Sequence, residues 1–314
     1  MKKFLLSLVG FAAFACVVYI ILVAAHGMLL PREVGGNILK YDQASTYTSS
    51  RLAEADKVGK VDVLIIGSSH AYRGYDPRKL SAMGYTSMNL GTSAQTLTQT
   101  KLLLDRYLDK LKPKYVILDI FPTLLDNNGA ESTLELVSIA GYDKELYEMG
   151  VETSDLRVYN TMIASYFKHQ LHIQKKYNKD RTSPRQKYYS GGFVGYTYKE
   201  YVSHCDLNNL STFKVSTSSV WQHKLTEILK LFKDRKIPYF MFQAPLSKCR
   251  YMEILNNEEI DKVLEKFGPY YNFNATRILP DKYFIDDSHL NEKGVDIYNK
   301  FVFDKLAKGG IVPR

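Results

Sequence analysis

Cysteine and tryptophan are scarce in this sequence of 314 residues, which has three cysteines and one tryptophan. No Cys-x-x-Cys pair occurs, so neither a zinc ribbon nor a thioredoxin-like redox site is indicated. Only Cys205 and Cys249 lie beyond the first apolar segment, and the sequence leaves open whether they approach closely enough to form a disulfide. We therefore expect neither a structural metal nor a cofactor.

Acidic residues are outnumbered, because 33 Asp and Glu residues stand against 42 Lys and Arg residues and the net charge is +9. A basic excess favours an anionic partner, which is nucleic acid, anionic lipid or an acidic polymer. A recognisable nucleic-acid motif is lacking, so we expect no nucleic-acid partner. Lipid head groups and anionic glycans remain as candidate partners, and both suit a membrane-anchored protein that lies outside the cytoplasm.

Charged residues are absent from the apolar segment Phe4–Ala25, which follows Lys2 and Lys3. The segment is long enough, at about 1.5 Å per helical residue, to cross a hydrocarbon core of roughly 30 Å. Positive charge before it predicts a single-pass helix at residues 1–25, with the rest of the chain outside the cytoplasm. A cleaved signal peptide is the alternative, although the apolar segment is longer than a signal core of roughly 7 to 15 residues.

Strand and helix patterns alternate in residues 61–314, which follow a predicted linker at residues 26–60. The predicted strands are Val61–Gly67, Ser87–Leu90, Tyr115–Ile120, Pro238–Gln243 and Tyr283–Ile285. The predicted helices are Leu97–Leu111, Ser219–Arg235 and Asn291–Leu306. This order predicts an α/β domain, with a central parallel sheet in a three-layer α/β/α sandwich.

The alternation fails at about residues 123–217, which we interpret as an insertion rich in tyrosine and lysine. Several of its tyrosines surround Gly191 and Gly192, where they either stack on sugar rings or pack in a β-hairpin. Hairpin packing is favoured, because alternating aromatic residues are common in half-buried strands. A docking surface for a membrane partner is a further alternative.

Two short motifs offer the parts of a nucleophilic site. Gly67–His70 follows the first predicted strand, and Asp286–His289 precedes the last predicted helix. A serine hydroxyl needs a base within hydrogen-bond reach, and His289 is the candidate. A carboxylate must orient that histidine, and Asp286 is the candidate for this role, with Asp287 as its competitor.

These motifs resemble those of the SGNH (GDSL-like) hydrolase superfamily, whose first block is Gly-Asp-Ser and whose last block is Asp-x-x-His. The resemblance covers roughly residues 61–125 and 219–305 and implies a flavodoxin-like fold. It selects Ser69 rather than Ser68 as the nucleophile. It also implies that His289 is the base and that Asp286 orients it.

The family's second block resembles Asn89–Thr96, except that Ala94 stands where the last glycine would be. The resemblance implies an oxyanion hole formed by the amides of Ser69 and Ala94, with Gly91 shaping the loop. The third block differs more, because the segment after Tyr115–Ile120 lacks the asparagine that normally supplies a side-chain donor.

In this difference the chain resembles the membrane-anchored branch of the superfamily, which includes the D-alanyl transfer protein of teichoic-acid synthesis and the alginate O-acetylation proteins. The resemblance implies an extracytoplasmic serine acyltransferase or esterase that acts on O-acyl groups, most simply O-acetyl groups, of a cell-envelope polysaccharide. It also implies a multi-pass membrane O-acyltransferase as partner. Hydrolysis rather than transfer is one alternative. A non-catalytic accessory that binds glycan or the acyltransferase is another.

Three further residues are candidates for contact with substrate, namely His70, Arg73 and Asn89. Arg73 has the geometry to hold a carboxylate or phosphate through two hydrogen bonds, and a surface salt bridge is its alternative role. His169 and His172 are the nearest approach to a metal-binding pair, but their aromatic and basic neighbours indicate an ordinary amphipathic surface. A metal-dependent phosphoesterase is therefore the weaker hypothesis.

Overall fold

The computed structural model describes residues 1–30, 46–139, 143–173, 183–196 and 206–311. The chain divides into two compact units. The first contains Met1–Gln43 and Thr133–Asn178, and the second contains Ala44–Ser132 and Lys179–Arg314.

The strands of the described residues are β1 (Val63–Ile66), β2 (Ser87–Asn89), β3 (Tyr115–Asp119), β4 (Gln186–Tyr189), β5 (Phe193–Tyr196), β6 (Tyr239–Gln243) and β7 (Tyr270–Asn272). Their α-helices are α1 (Lys2–Leu29), α2 (Thr48–Ala55), α3 (Ser69–Gly74), α4 (Pro77–Ala82), α5 (Leu97–Leu111), α6 (Ala130–Ile139), α7 (Lys144–Thr153), α8 (Leu156–Gln170), α9 (Ser219–Asp234), α10 (Lys248–Met252), α11 (Asn257–Leu264), α12 (Phe273–Thr276) and α13 (Glu292–Lys308).

The first unit is helical, and α1 packs along α8 within it. The Tyr19 hydroxyl donates a hydrogen bond of 2.6 Å to Oδ1 of Asn160, and Val23 packs against Ala164. Most other side chains of α1 are exposed and apolar. By length and composition α1 is able to cross a membrane, and a signal sequence meets the same criteria.

The second unit contains a five-stranded parallel sheet in the order β2-β1-β3-β6-β7. Counted along the chain this is the order 2-1-3-4-5 of the flavodoxin-like fold. Leu64 at the centre pairs with Met88 on one side and Val116 on the other. Helices flank the sheet, with α5 beside α9 and α3 beside α13. The predicted α/β fold with a central parallel sheet is confirmed.

Periodicity located most of these elements correctly. Helix α5 has the predicted bounds, and its first turn is closed by the Thr96 amide, which donates a hydrogen bond of 3.0 Å to the Gln99 side chain. The prediction of a strand at Tyr283–Ile285 is wrong. Phe284 is buried there, which produces the strand-like pattern, but it makes only an isolated bridge to Leu290. The fifth strand is β7 instead.

The predicted insertion contains α6, α7, α8 and an antiparallel hairpin of β4 and β5. The hairpin turns at Gly191 and Gly192, which have φ values of 88° and 92°. Phe193 and Val194 are buried, as expected for packing residues, while Tyr198 lies outside the described residues. The predicted linker at residues 26–60 contains helix α2, which belongs to the second unit.

Candidate active site

The turn after β1 presents Ser69 and hides Ser68. A Cβ atom on Gly67 would lie 2.7 Å from the Cβ and the carbonyl oxygen of Asp119, so only glycine lets the two strand ends approach. Ser68 is 2% exposed, and its hydroxyl caps α3 by accepting a hydrogen bond of 3.3 Å from the His70 amide. Ser69 is the first residue of the helix and is half-buried. Its hydroxyl is therefore the accessible one.

Ser69, His289 and Asp286 form a continuous hydrogen-bonded chain. The Ser69 Oγ lies 2.8 Å from Nε2 of His289, and Nδ1 of the same ring lies 2.8 Å from Oδ2 of Asp286. These three residues come from opposite ends of the sequence, 220 positions apart for the serine and histidine. A nucleophile, a base and an orienting carboxylate in this order are the parts needed for acyl transfer through serine.

Asp286 is fixed by its own loop. Its Oδ1 accepts hydrogen bonds from the backbone amides of Ser288 at 2.9 Å and His289 at 2.8 Å. Burial acts to raise the pKa of the Asp286 carboxyl, but the hydrogen bond and charge of His289 and the two amides hold this pKa below its usual range. The carboxylate therefore stays ionised. Asp287, the competing candidate, is exposed and does not take this position.

The loop after β2 is tied to the serine turn by Asn89. Its Nδ2 donates a hydrogen bond of 2.8 Å to the Ala71 carbonyl, and its Oδ1 accepts one of 2.9 Å from the Gly91 amide. Asn89 is 0% exposed, so the structure does not support the predicted contact with substrate. Its amide instead joins the loop to α3. Because the Gly91 amide already donates to Asn89, it is not free to stabilise an oxyanion. The role left for Gly91 is to shape the loop.

Gly91 is needed for close packing, because a Cβ atom there would lie 2.8 Å from the Ser68 carbonyl oxygen. Ala94, farther along the loop, has a left-handed φ of 46°, which is the conformation that a glycine would adopt readily. The backbone amides of Ser69 and Ala94 have no acceptor among the described residues. Both amides are thus available to a ligand.

Arg51 supports this loop, and sequence reasoning missed it because it lies in the predicted linker. It is fully buried, and its guanidinium donates to the carbonyls of Gly91 at 2.8 Å and Gly192 at 3.0 Å. It also donates to the Thr46 carbonyl at 2.8 Å, and it lies 4.4 Å from the Tyr72 ring centre. One cation therefore connects α2, the hairpin turn and the loop after β2.

Replacing Arg51 with methionine is expected to destabilise the second unit. Three buried carbonyl groups would lose their donor, at about 1 to 3 kcal/mol each, so the free energy of unfolding should fall by roughly 3 kcal/mol or more. The urea-unfolding midpoint of the detergent-solubilised chain measures this. Arg235→Met is the control, because Arg235 is partly exposed in an ion pair with Asp109 and should matter by about 1 kcal/mol or less. Equal shifts in the two variants would contradict the role of Arg51.

His70 lies beside the His289 ring but is not placed to contact substrate directly. It is 3% exposed, its ring centre is 4.1 Å from that of Phe121, and it meets the His289 ring edge-on at 5.5 Å. Neither ring nitrogen has a hydrogen-bond partner within the described ranges. Burial, followed by the charge of His289, lowers the pKa of His70 to about 3. His70 is therefore a neutral packing partner of His289.

Asp119 ends β3 directly behind the Gly67 turn, and its Oδ2 accepts a hydrogen bond of 2.9 Å from the Tyr75 hydroxyl. Burial raises the pKa of Asp119 to about 7, although the Tyr75 hydrogen bond opposes this. In the unfolded chain this carboxyl ionises near pH 3.8. The protonated folded form therefore contributes its full stability below that pH, and this contribution is lost as the pH rises through about 7.

Asp119→Asn is expected to flatten this pH dependence. Between about pH 5 and about pH 8 the wild-type free energy of unfolding should fall by a few kcal/mol more than that of the variant, a quantity on the order of the pKa shift converted to energy. Urea unfolding at a series of pH values measures it. Parallel pH profiles for the two proteins would show that Asp119 is ionised throughout.

The segment after β3 contributes no asparagine to the site. Asn127 and Asn128 cap their own turn, where their side chains accept hydrogen bonds from the amides of Gly129 at 2.8 Å and Ala130 at 3.1 Å. Phe121 instead packs against His70. Within the described residues, no group of three or more His, Cys, Asp or Glu side chains is arranged to hold a metal ion.

Comparisons with known proteins add little at the level of sequence. No protein-family model matches the chain, and no curated protein matches it. Among solved structures it is similar to a Bacteroides fragilis protein that has been proposed to be an acylhydrolase, with a TM-score of 0.42 and 11% identity over 86% of this chain and 98% of that chain. A likeness this distant assigns no activity, so we infer function from the geometry of the triad.

Proposed function

We propose that this chain is a serine esterase or acyltransferase that forms an acyl-enzyme on Ser69. The observation that supports this most strongly is the hydrogen-bonded chain from the Ser69 Oγ through His289 to Asp286, with 2.8 Å at each link. The amides of Ser69 and Ala94, which have no acceptor among the described residues, are the candidate oxyanion donors.

In the first half-reaction the Ser69 Oγ attacks the ester carbonyl carbon while His289 Nε2 accepts the hydroxyl proton. The carbonyl oxygen becomes an oxyanion that the two amides stabilise. When the intermediate collapses, the bond to the leaving alcohol breaks, and His289 returns the proton to the departing oxygen. Asp286 keeps the imidazole in the required tautomer and stabilises its protonated form.

In the second half-reaction His289 deprotonates an acceptor hydroxyl, which attacks the carbonyl carbon of the acyl-serine. The bond from that carbon to the Ser69 Oγ then breaks, and His289 returns the proton to Oγ. Water as the acceptor gives hydrolysis, and a glycan hydroxyl gives transfer. We favour transfer of O-acyl groups, most simply acetyl, on a cell-envelope polysaccharide. The resemblance of the motifs to membrane-anchored SGNH proteins and the apolar helix α1 support this choice.

We further propose that α1 anchors the chain in the cytoplasmic membrane with the second unit on the outer side. Lys2 and Lys3 before the apolar segment favour that orientation. A multi-pass membrane O-acyltransferase is the proposed partner, because a surface enzyme needs a supply of activated acyl groups. The net charge of +9 suits attraction to anionic lipid or glycan.

A second candidate is a non-catalytic accessory that binds glycan or the membrane acyltransferase. It is favoured by one observation, the replacement of the expected asparagine after β3 by a segment in which Phe121 packs on His70. Loss of one oxyanion donor costs about 100-fold to 1000-fold in rate.

Surface acylation in cells tests these proposals together. If the chain transfers acyl groups, Ser69→Ala should lower surface acylation as strongly as deletion of the whole protein. If it hydrolyses them, the same variant should raise acylation. If the chain is an accessory, Ser69→Ala should leave acylation intact while deletion abolishes it, and this result would overturn the catalytic proposal.

A further inference from the structure

Arg73 is a buried cation that has neither a carboxylate nor a hydrogen-bond acceptor among the described residues. It is 7% exposed, and its Nε and Nη1 find no hydrogen-bond acceptor in the part of the chain that the structure describes. Among the residues that the structure describes, no carboxylate lies within ion-pair distance of it. The surface salt bridge considered from the sequence is therefore wrong. Buried charges are normally paired or hydrogen-bonded, because an unpaired one is costly to remove from water.

Arg51 provides an internal comparison. It is also buried, but its guanidinium donates to three backbone carbonyls and to the Thr48 hydroxyl at 3.2 Å. An arginine with a purely structural role in this unit is thus saturated with acceptors. Arg73 differs because the N–H groups of its guanidinium at Nε and Nη1 have no acceptor among the described residues.

Two aromatic rings contact Arg73. Its Cζ lies 4.9 Å from the ring centre of Tyr72 and 4.3 Å from that of Tyr196. Cation–π contacts of this kind stabilise a guanidinium and do not consume its N–H groups. The donors of the guanidinium lie in its plane and match the two oxygens of a carboxylate or phosphate.

Arg73 lies on the same short helix as Ser69. It follows Ser69 by four residues on α3, so the two side chains emerge from one face of the helix with Cβ atoms about 5 to 6 Å apart. Tyr72 places its hydroxyl 3.3 Å from the Ser93 hydroxyl, directly before Ala94. Burial raises the pKa of Tyr196 to about 12, with Arg73 opposing this rise and Asp286 adding to it.

We propose that Arg73 binds an anionic group of the ester substrate, a carboxylate or a phosphate, about one helical turn from the reacting carbonyl. This inference rests on the proposed function, because it assigns the substrate of the same site. The preferred ester, an O-acetyl ester included, is then one on a molecule that carries a negative charge close to the acyl group rather than one on a neutral molecule. Tyr72 and Tyr196 hold the guanidinium in place and make no charged contact with the ligand.

Competition by simple anions tests this with the full chain in detergent. Turnover of 4-nitrophenyl acetate, a neutral ester, is followed at constant ionic strength while succinate, inorganic phosphate or chloride is added. We expect succinate or phosphate to inhibit the wild type. Inhibition of Arg73→Met should need concentrations about 10-fold to 100-fold higher, the range expected when a charge-assisted hydrogen-bonded pair is lost.

Two variants complete the comparison. Arg73→Lys retains the charge without the planar fork and should give intermediate inhibition, whereas Arg235→Met removes an arginine from the end of α9 and should match the wild type. The ratio of the phosphate and succinate inhibition constants identifies which anion the site prefers. Inhibition equal to that by chloride, or inhibition unchanged in Arg73→Met, would overturn the proposal.

Direct binding separates failure of this proposal from failure of the proposed function. The melting temperatures of wild type and Arg73→Met are measured in succinate and in phosphate, which requires no turnover. An anion-dependent rise in wild type alone supports the site even if the chain hydrolyses no ester. Normal turnover and Ser69 labelling without any Arg73-dependent anion effect would reject this inference and leave the proposed function standing.

Discussion

Ser69→Ala is expected to lower kcat/KM for an activated acetyl ester by about 10⁴-fold to 10⁶-fold, which leaves only the residual catalysis that the oxyanion donors and substrate binding supply. The variant removes the only hydroxyl that lies 2.8 Å from His289 Nε2 among the described residues. His289→Ala should cost a similar factor, because serine and histidine act as one unit. The double variant should be no slower than either single one, which steady-state kinetics with all three proteins would show.

Ser68→Ala is the matched control for this prediction. Ser68 caps α3 and faces away from solvent, so its loss should lower the free energy of unfolding by about 1 kcal/mol while turnover continues. Equal losses of activity in Ser68→Ala and Ser69→Ala would mean that both variants disrupt the structure of the turn, and would contradict the role of Ser69 as the nucleophile.

Asp286→Asn is expected to lower kcat by about 10⁴-fold with little change in KM. The asparagine fills the same space, but it cannot stabilise the imidazolium and can donate a hydrogen to Nδ1, which favours the wrong tautomer of His289. The wild-type carboxylate lies 2.8 Å from that nitrogen. Measurement of kcat and KM separately distinguishes this effect from weaker substrate binding.

Asp287→Asn supplies the control from the same loop. Asp287 is exposed, so the same change of side chain should alter kcat by no more than a few-fold. A larger effect at Asp287 than at Asp286 would reverse the assignment of the orienting carboxylate and would require a different His289 geometry in the reacting enzyme.

Much of the fold could be predicted from local pattern. All four apolar residues of β1 are buried, as expected for a short apolar run in a central strand, and the leucines of α5 are buried at helical spacing. Ser69 could be placed from the sequence because it follows β1, at the carboxyl edge of the parallel sheet where ligands bind. The strand predicted just before Asp286 does not form, so the meeting of His289 with Ser69 was anticipated from the resemblance of the two motifs and not from the position of a strand.

The rest depends on contacts between distant parts of the sequence. The structural role of Arg51 could not be predicted, because two of its hydrogen-bond partners lie 40 and 141 positions away in the sequence. Local periodicity carries no information about contacts at that separation. Asn89 looks like a binding residue in sequence, yet both ends of its amide are used inside the protein. Strand β7 is only three residues long, which gives a weak sequence pattern. The buried Phe284 gave Tyr283–Ile285 a strand-like pattern instead, so the fifth strand was predicted there.

The two candidate oxyanion donors bear on the rate of the isolated chain. A site with two amides and no side-chain donor should be slower by roughly 100-fold or more than one with all three. Low turnover of simple esters beside efficient labelling of Ser69 would therefore fit this architecture. A partner that completes the site would raise turnover and leave the labelling position unchanged.

The most direct measurement is intact-mass analysis of the full chain in detergent after exposure to a serine-directed fluorophosphonate. Wild type should gain the mass of one adduct, Ser68→Ala should gain the same mass, and Ser69→Ala should gain none. An adduct that persists in Ser69→Ala, or a folded wild-type protein that remains unlabelled, would contradict the claim that His289 and Asp286 activate Ser69 as a nucleophile.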